Sequence, residues 1–309
     1  MTKINTDHII PAVDRDLLLS ELTKDKLVRK TNKLNNLVYI IDHHNSPNVM
    51  REIGRLRELT FTLAGGGTGQ EMDIDDKDTC SNCYSQLIVF SPEDQEITGG
   101  YRFFDCSKSI QPNQEELSTA HYFNFSEEFV KNYLPYSIEL GRSWVNPIYQ
   151  PSVNPRKGLF ALDNLWDGLG GIVHTHPQMK YFFGKVTMYT SFEEQAKRAV
   201  LGFMNAYFPD RDKLAWPKNA IYTSVNQHEI IDLVSGLDFK EGLKTLQQYC
   251  RNKGETVPPL INNYMQLSPT MKSFGTAQNP EFGGVEETGI LISLADIYDF
   301  KKERHLAGL

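Results

Sequence analysis

The sequence predicts an α+β protein in which helices cover a β-sheet, and three observations point there. Segments with strand patterning, such as "SQLIVFS" and "TGILISLADI", alternate along the chain with segments of helical spacing, such as "SPNVMREIGRLRELTF". The 309 residues are 40% hydrophobic and 23% charged, with 17 Phe and 14 Tyr, which suits one large globular domain or two modest ones. No run of about 18 apolar residues occurs, so no membrane span is expected. The net charge of −7 argues against a nucleic-acid binder, which presents a basic face. The opening "MTKINTDHIIPAVDRD" lacks the apolar core of a secretion signal. Cys80, Cys83, Cys106 and Cys250 are too few for a disulfide framework, so a reducing cytoplasm is the expected location.

Residues 1–45 read as an N-terminal extension with a basic stretch from Lys24 to Lys33. A helix should start at Ser46 as N-cap with Pro47 in its first turn, carrying Val49, Ile53, Leu56, Thr60 and Leu63 on one stripe. Arg51, Arg55 and Glu58 fall on its outer face. Arg57 lies four residues after Ile53 and four before Phe61, at the edge of the stripe. An inward arginine needs an acidic partner, because an unpaired buried charge is very costly. The following "AGGGTGQEMDIDDKDT" offers Asp73, Asp75, Asp76 and Asp78. Its glycines follow a helix, whereas a phosphate-binding turn follows a strand and opens a helix, so a flexible loop is expected. The acids lack the later glycine and terminal glutamate of an EF-hand.

"SQLIVFS" and "ITGGYRFF" flank "PEDQE" as a hairpin, with Arg102 as a second charge in an apolar segment. "SEEFVKNYLP" reads as a short helix from near Ser126. The next strand, "SIELGRSWVNP", carries Glu139 and Arg142 three residues apart, positions that point to opposite faces of a regular strand. A bulge at Gly141 would bring them onto one face. The plain alternative is an ion pair that only holds the sheet together. "KGLFALDNLWDGLGGIVHTH" reads as a helix, "YFFGKVTMYT" as a strand, and "SFEEQAKRAVLGFMNAYF" as a helix with Ser191 and Glu194 as a capping box. Residues 209–236 read as an irregular insertion. A helix near 238–252, a short helix in "PPLINNYMQL" and the strands "KSFGTAQ" and "TGILISLADI" complete a main domain of 46–300, with 301–309 as a tail. Cys80-Ser-Asn-Cys83 has no second pair at zinc spacing, His176-Pro177 reads as a turn, and Tyr181, Phe182 and Phe183 read as core. No metal site is expected, and no serine or cysteine sits in a nucleophile elbow.

Taken in order, Arg57 with Phe61, then Asp73, Asp75 and Asp78, then Arg102 in "GGYRFF", then Glu139 and Arg142 in "ELGRSWV" resemble one family's signature. It is the ornithine-lipid-type N-acyltransferases, often labelled hemolysin-like, relatives of acyl-homoserine-lactone synthases in the GNAT superfamily. "PPLINNYMQL", "NPEF" and "ETGILISL" extend the resemblance to about residues 46–300. "NSPNVMREIGRLRELTFTLAGGGTG" is most similar to Bacteroidetes members that acylate glycine.

The resemblance implies an α/β/α sandwich with a mixed, splayed central sheet covered on both faces. It also implies transfer of a long acyl chain, 3-hydroxylated chains included, from acyl carrier protein to an amino acid's α-amine, with no bound cofactor. Glycine is the expected acceptor, with ornithine, another small amino acid or an acyl-coenzyme A donor as alternatives. Glu139 is the candidate general base. Arg142 is the group that holds Glu139 or binds the acceptor's carboxylate in a bidentate fork. Backbone N–H groups from Arg142 to Val145 are the candidate oxyanion donors. Arg57 and Arg102 are expected to pair with Asp75 and Asp78, ordering the Gly-rich loop. GNAT enzymes that use coenzyme A usually carry an Arg/Gln-x-x-Gly-x-Gly/Ala loop. Here "NPRKGLFALDNLW" has Arg156, Lys157 and Gly158 but no second glycine in place. Arg156 and Lys157 are therefore expected to meet the phosphopantetheine phosphate or the carrier's acidic face, with Lys24 to Lys33 as a second candidate. A lipid product is compatible with peripheral contact at the inner membrane. The reading from another class is a catalytically inactive module that binds lipid or carrier; a pore-former is disfavoured, since no membrane-spanning segment stands out.

Overall fold

The computed structural model describes residues 4–109, 114–221 and 224–306. In chain order the elements begin α1 (Arg15–Glu21), β1 (Leu27–Lys30), β2 (Leu37–Ile41), α2 (Pro47–Leu63), α3 (Asp76–Thr79), β3 (Ser85–Ser91), β4 (Glu96–Asp105) and β5 (Phe123–Phe125). They continue with β6 (Ser137–Val145), α4 (Pro155–Thr175), β7 (Tyr181–Met188), α5 (Glu194–Tyr207), β8 (Ala215–Pro217) and α6 (Ser224–Val234). The last are α7 (Phe239–Asn252), α8 (Pro259–Met265), β9 (Lys272–Asn279), β10 (Val285–Ser293) and α9 (Asp299–His305). The α+β class with helix-covered sheet is as the sequence predicts. The chain forms two compact units, one from Met1–Ser109, Ile138–Met179 and Asp299–Leu309, the other from Ile110–Ser137 and Lys180–Tyr298.

In the first unit β1, β2, β3, β4 and β6 pair in that order, each antiparallel to its neighbour. Register decides the faces. Gln86 on β3 stands opposite Arg102 on β4, which stands opposite Gly141 on β6, so these share a face, while Leu87 and Tyr101 share the other. Helix α4 lies on the Leu87 face, where Gly168 packs on the Leu87 side chain. Helices α2 and α3 lie on the Gln86 face, because Asp78 joins Arg57 of α2 to Gln86.

Helix α2 forms as its sequence pattern requires, with Val49, Met50, Ile53, Leu56 and Arg57 buried. At Gly54 the following loop lies directly on the helix: Asp73 N–H donates to the Gly54 carbonyl at 3.0 Å. A Cβ at Gly54 would stand 2.6 Å from Ile74 Cγ1. That close approach delivers Asp73 to the Arg57 side chain.

Several local expectations are corrected. Residues 1–45 are not a mere extension, because they supply α1 and two strands of the sheet. The tail holds α9, which packs on α4: His305 Nδ1 meets Asp167 Oδ1 at 2.8 Å, and Arg304 meets Asp163 at 2.7 Å. At Gly170 of α4 the His305 carbonyl approaches so closely that a Cβ would stand 2.2 Å from it. Arg29 donates to the same carbonyl at 2.7 Å, tying the end of α9 to β1. Residues 209–236 include β8 and α6. The Ser46 hydroxyl makes no cap bond; it accepts from Lys26 instead. The cap of α5 is Glu193, whose carboxylate accepts from Ala196 N–H, rather than Ser191. "SEEFVKNYLP" becomes a π-helical turn, Phe129–Tyr133, followed by a tight turn at Leu134–Tyr136, since Pro135 blocks a longer helix.

In the second unit β7, β10 and β9 form an antiparallel sheet and β5 pairs with β8. Arg198 of α5 grips the buried Glu286 of β10 with two hydrogen bonds at 2.8 and 2.9 Å. Phe129 packs against Phe183 and Phe274, with ring centroids 5.5 and 5.9 Å apart. Phe182 and Phe183 are buried core, as their pattern suggests.

Candidate active site

The candidate site grows from the Gln86 face of the first unit. Arg57 is fully buried, donating from Nε to Asp73 at 3.0 Å and from both Nη atoms to Asp78 at 3.1 and 3.2 Å. Asp78 also accepts from Gln86 Nε2 at 2.9 Å and from Arg102 at 3.3 Å. Arg102 donates to both oxygens of Asp75 at 2.8 Å. Asp75 and Asp78 cap α3 reciprocally, each side chain accepting the other's backbone N–H. The sequence pairing of Arg57 and Arg102 with Asp75 and Asp78 is present in altered form: Asp73, not Asp75, takes Arg57's third bond.

Arg142 closes the network, with Nη2 3.1 Å from Asp73 and 3.6 Å from Asp75. Three arginines thus meet three aspartates. Burial alone would raise the carboxyls of Asp73 and Asp78, but the adjacent guanidiniums overcome it: Arg142 and Arg57 hold Asp73 low, Arg57 and Arg102 hold Asp78 low. The same pairing holds Arg57 and Arg102 above their ordinary value in spite of burial. Arg142 goes the other way: burial and repulsion from Arg102 and Arg57 outweigh Asp73 and Asp75 and lower it.

The expected bulge in β6 is present, one residue later than Gly141. Arg142 and Ser143 together face Tyr101, because the register steps from Arg102↔Gly141 to Gly100↔Trp144. Arg142 takes a left-handed conformation at φ 47°. A side-chain residue there costs about 1–2 kcal/mol, a strain typical of functional backbone. The bulge interrupts the ladder where the oxyanion donors are expected, and it brings Glu139 and Arg142 to the same face.

Glu139 is almost completely buried. Its carboxylate accepts a hydrogen bond from the hydroxyl of Tyr84. The Arg102 guanidinium lies over the Tyr84 ring, 4.9 Å from its centroid, and Phe104 packs on the ring at 5.0 Å. Tyr84 and Gln86 were missed as site residues. Counting back by two from Gln86 along the strand would have placed Tyr84 on the Arg102 face. Phe61 is buried in the last turn of α2, and its carbonyl accepts from the Gly66 N–H at 2.9 Å.

Glu58 is buried, not on the outer face. It accepts from Thr68 N–H at 2.9 Å, Thr68 Oγ1 at 2.7 Å and Gly69 N–H at 2.8 Å. The Gly-rich loop therefore turns amides inward onto the protein's own carboxylate, the opposite of a phosphate cradle.

Arg156 and Lys157 are not brought to this network, since they open α4 on the other face of the sheet. Lys157 is engaged with Asp94 at 2.6 Å and Glu93 at 3.3 Å, and its hydrogen bond to Asp94 raises its ammonium's pKa. Gly158 serves packing, since a Cβ there would stand 2.5 Å from Pro151 N. Arg156 is exposed. The four cysteines are free thiols. Among the described residues no group of three His, Cys, Asp or Glu is arranged to hold a metal ion.

Comparison with known proteins decides the family. Residues 56–156, which include the whole network, match the acetyltransferase (GNAT) domain family. A glycine N(alpha)-acyltransferase of Bacteroides thetaiotaomicron is 50% identical over 302 residues, 97% of this chain and 90% of that protein. This chain belongs to the glycine N(alpha)-acyltransferase family of GNAT acyltransferases. A second member, from Phocaeicola vulgatus, is 49% identical over 97% of this chain and 93% of its own. No solved structure matches the chain. Among the described residues no helix is long and apolar enough to cross a membrane.

Proposed function

We propose that this acyltransferase moves a long-chain fatty acyl group, 3-hydroxylated chains included, from acyl carrier protein to the α-amine of glycine, opening the synthesis of an amino-acid lipid. The observation that carries the reading is Glu139: a buried carboxylate on the strand that bulges at Arg142, held by a tyrosine beside a charge-balanced arginine–aspartate frame.

Glycine's amine is mostly protonated near neutral pH and cannot attack in that form. Glu139 takes one proton, and the neutral nitrogen adds to the thioester carbonyl carbon. Negative charge then develops on the carbonyl oxygen, and the N–H groups of the bulged strand from Arg142 to Val145 are the donors assigned to stabilise it. Collapse breaks the C–S bond, and the leaving thiolate takes the second nitrogen proton. Arg142, at the bulge beside Asp73, is the group assigned to the acceptor's carboxylate. Lys157 is neutralised by Asp94 and Gly158 is occupied by packing, so the start of α4 is poorly equipped to grip a pyrophosphate. That favours a carrier-protein donor with its single phosphate, met by Arg156. A cytoplasmic enzyme touching the inner membrane peripherally fits such a reaction.

The test is thiol release from long-chain acyl carrier protein and from acyl-coenzyme A, with glycine, ornithine, serine or no acceptor, and mass spectrometry of the product. Glycine-dependent release yielding N-acylglycine is the expected result. E139Q should lower kcat about 10²–10⁴-fold while carrier binding persists. Release with ornithine alone moves the acceptor assignment. Absence of release with any acceptor, from folded protein, leaves a carrier- or lipid-binding module.

A further inference from the structure

We propose that Tyr84 is a positioning residue for acyl transfer, holding the Glu139 carboxylate in the orientation from which it takes the acceptor's proton. The inference rests on the Glu139 reading above and deepens it. Nothing in the chemistry of a general base requires a tyrosine, so the argument lies in how this one is held.

Tyr84 is 1% exposed, in the connector between α3 and β3. Its backbone is pinned to α3, since its N–H donates to the Lys77 carbonyl at 2.8 Å. Its ring is clasped between the Arg102 guanidinium and Phe104. Arg102 is itself fixed by Asp75 and Asp78. The hydroxyl at the end of this rigid ring reaches Glu139 Oε2. Tyr84 is thus the link by which an arginine–aspartate frame of structural appearance fixes the direction of the base.

A phenol donating to a carboxylate restricts rotation of the carboxyl group, and so fixes the direction from which it can accept a proton. The groups that face Glu139 come from several elements: Lys77 on α3, Tyr84 ahead of β3, and Cys106 just after β4. Lys77 contributes attraction, but burial pulls its own ammonium's pKa down, so its charge is the less secure support. The Cys106 thiol is pushed well up by burial and by Glu139, and stays neutral.

The experiment compares kcat and KM of Y84F and wild type with acyl carrier protein and glycine. Loss of one hydrogen bond to a charged group should lower kcat about ten- to a hundredfold. KM for glycine and for the carrier should stay within about threefold. Wild-type kcat in Y84F would overturn the inference. So would a loss carried by KM with kcat preserved, which is the signature of a tyrosine that only shapes the binding site. If Y84F does not fold, F104L keeps the hydroxyl but loosens its seat. It should give a smaller fall in kcat with KM unchanged, and an unchanged kcat overturns the proposal. E139Q separates the two levels: full turnover in E139Q removes the base assignment itself, whereas an inactive E139Q beside an unaltered Y84F removes only the role of Tyr84.

Discussion

Replacing Arg57 by methionine keeps the apolar stem of the side chain and removes three hydrogen bonds, one to Asp73 and two to Asp78. Breaking a buried ion pair by deleting one partner costs about 3–5 kcal/mol, chiefly because the other charge stays buried. Here neither carboxylate is fully orphaned. Asp73 keeps Arg142 at 3.1 Å, and Asp78 keeps Arg102 at 3.3 Å and Gln86 at 2.9 Å. The expected loss is therefore near the lower end, about 3 kcal/mol. Urea denaturation followed by tryptophan fluorescence measures it, with Trp144 and Trp166 both in the first unit. R57M/D78N removes a stranded charge as well, so it should be destabilised by less than the sum of its single variants. The pH dependence has a definite sign. Asp73 and Asp78 are held below their ordinary value, so their contribution is present above the unfolded carboxylate's pKa of about 3.9 and is lost as pH falls below it. In R57M the slope below about pH 4 should be shallower, since less of each shift remains. A cost under about 1 kcal/mol, or an unchanged acid slope, would refute the picture of Arg57 as the centre of a buried charge network.

Other substitutions test separate parts. E58Q should cost about 2 kcal/mol and speed hydrogen exchange at the Thr68 and Gly69 amides; unchanged exchange there would mean that Glu58 does not hold the loop. R156E should raise KM for acyl carrier protein about tenfold while leaving KM for glycine alone, and a wild-type KM for the carrier would end the docking role proposed for Arg156. H305A should lower stability by about 2 kcal/mol and speed exchange through residues 299–305, and the retention of full protection in α9 would contradict its anchoring by Asp167.

Sequence reading reached those parts of the fold whose signals are local. The α2 stripe, the β3–β4 hairpin and the long α4 each carry their period within one segment. The inward Arg57 was legible because it lies at the edge of the stripe, and its need for a carboxylate follows from charge burial alone. The bulge was anticipated, yet glycine drew it one position early, and Arg142 instead bears the left-handed backbone. What failed depends on distant partners. Glu58 has an outer-face spacing, and only the return of the loop over the helix buries it. Strand β1, "LVRK", is short, half-exposed and charged, because it lies at a sheet edge. Nothing near His305 announces an aspartate 138 residues earlier in the chain. Tyr84 stands just outside its strand, where period-two reasoning had stopped.

The discontinuous first unit bears on how the protein is made. Asp163 and Asp167 leave the ribosome long before Arg304 and His305, and Arg29 waits longer still for the His305 carbonyl it caps, 276 residues away. During synthesis the face of α4 that bears Gly170 has no partner, and the Asp167 carboxylate that will be buried must stay hydrated. The unit holding the candidate active site can thus reach its final packing only after α9 has emerged. A nascent chain stalled before residue 299 should expose that face to proteases and chaperones, and the emergence of α9 is the event that lets the first unit close its packing.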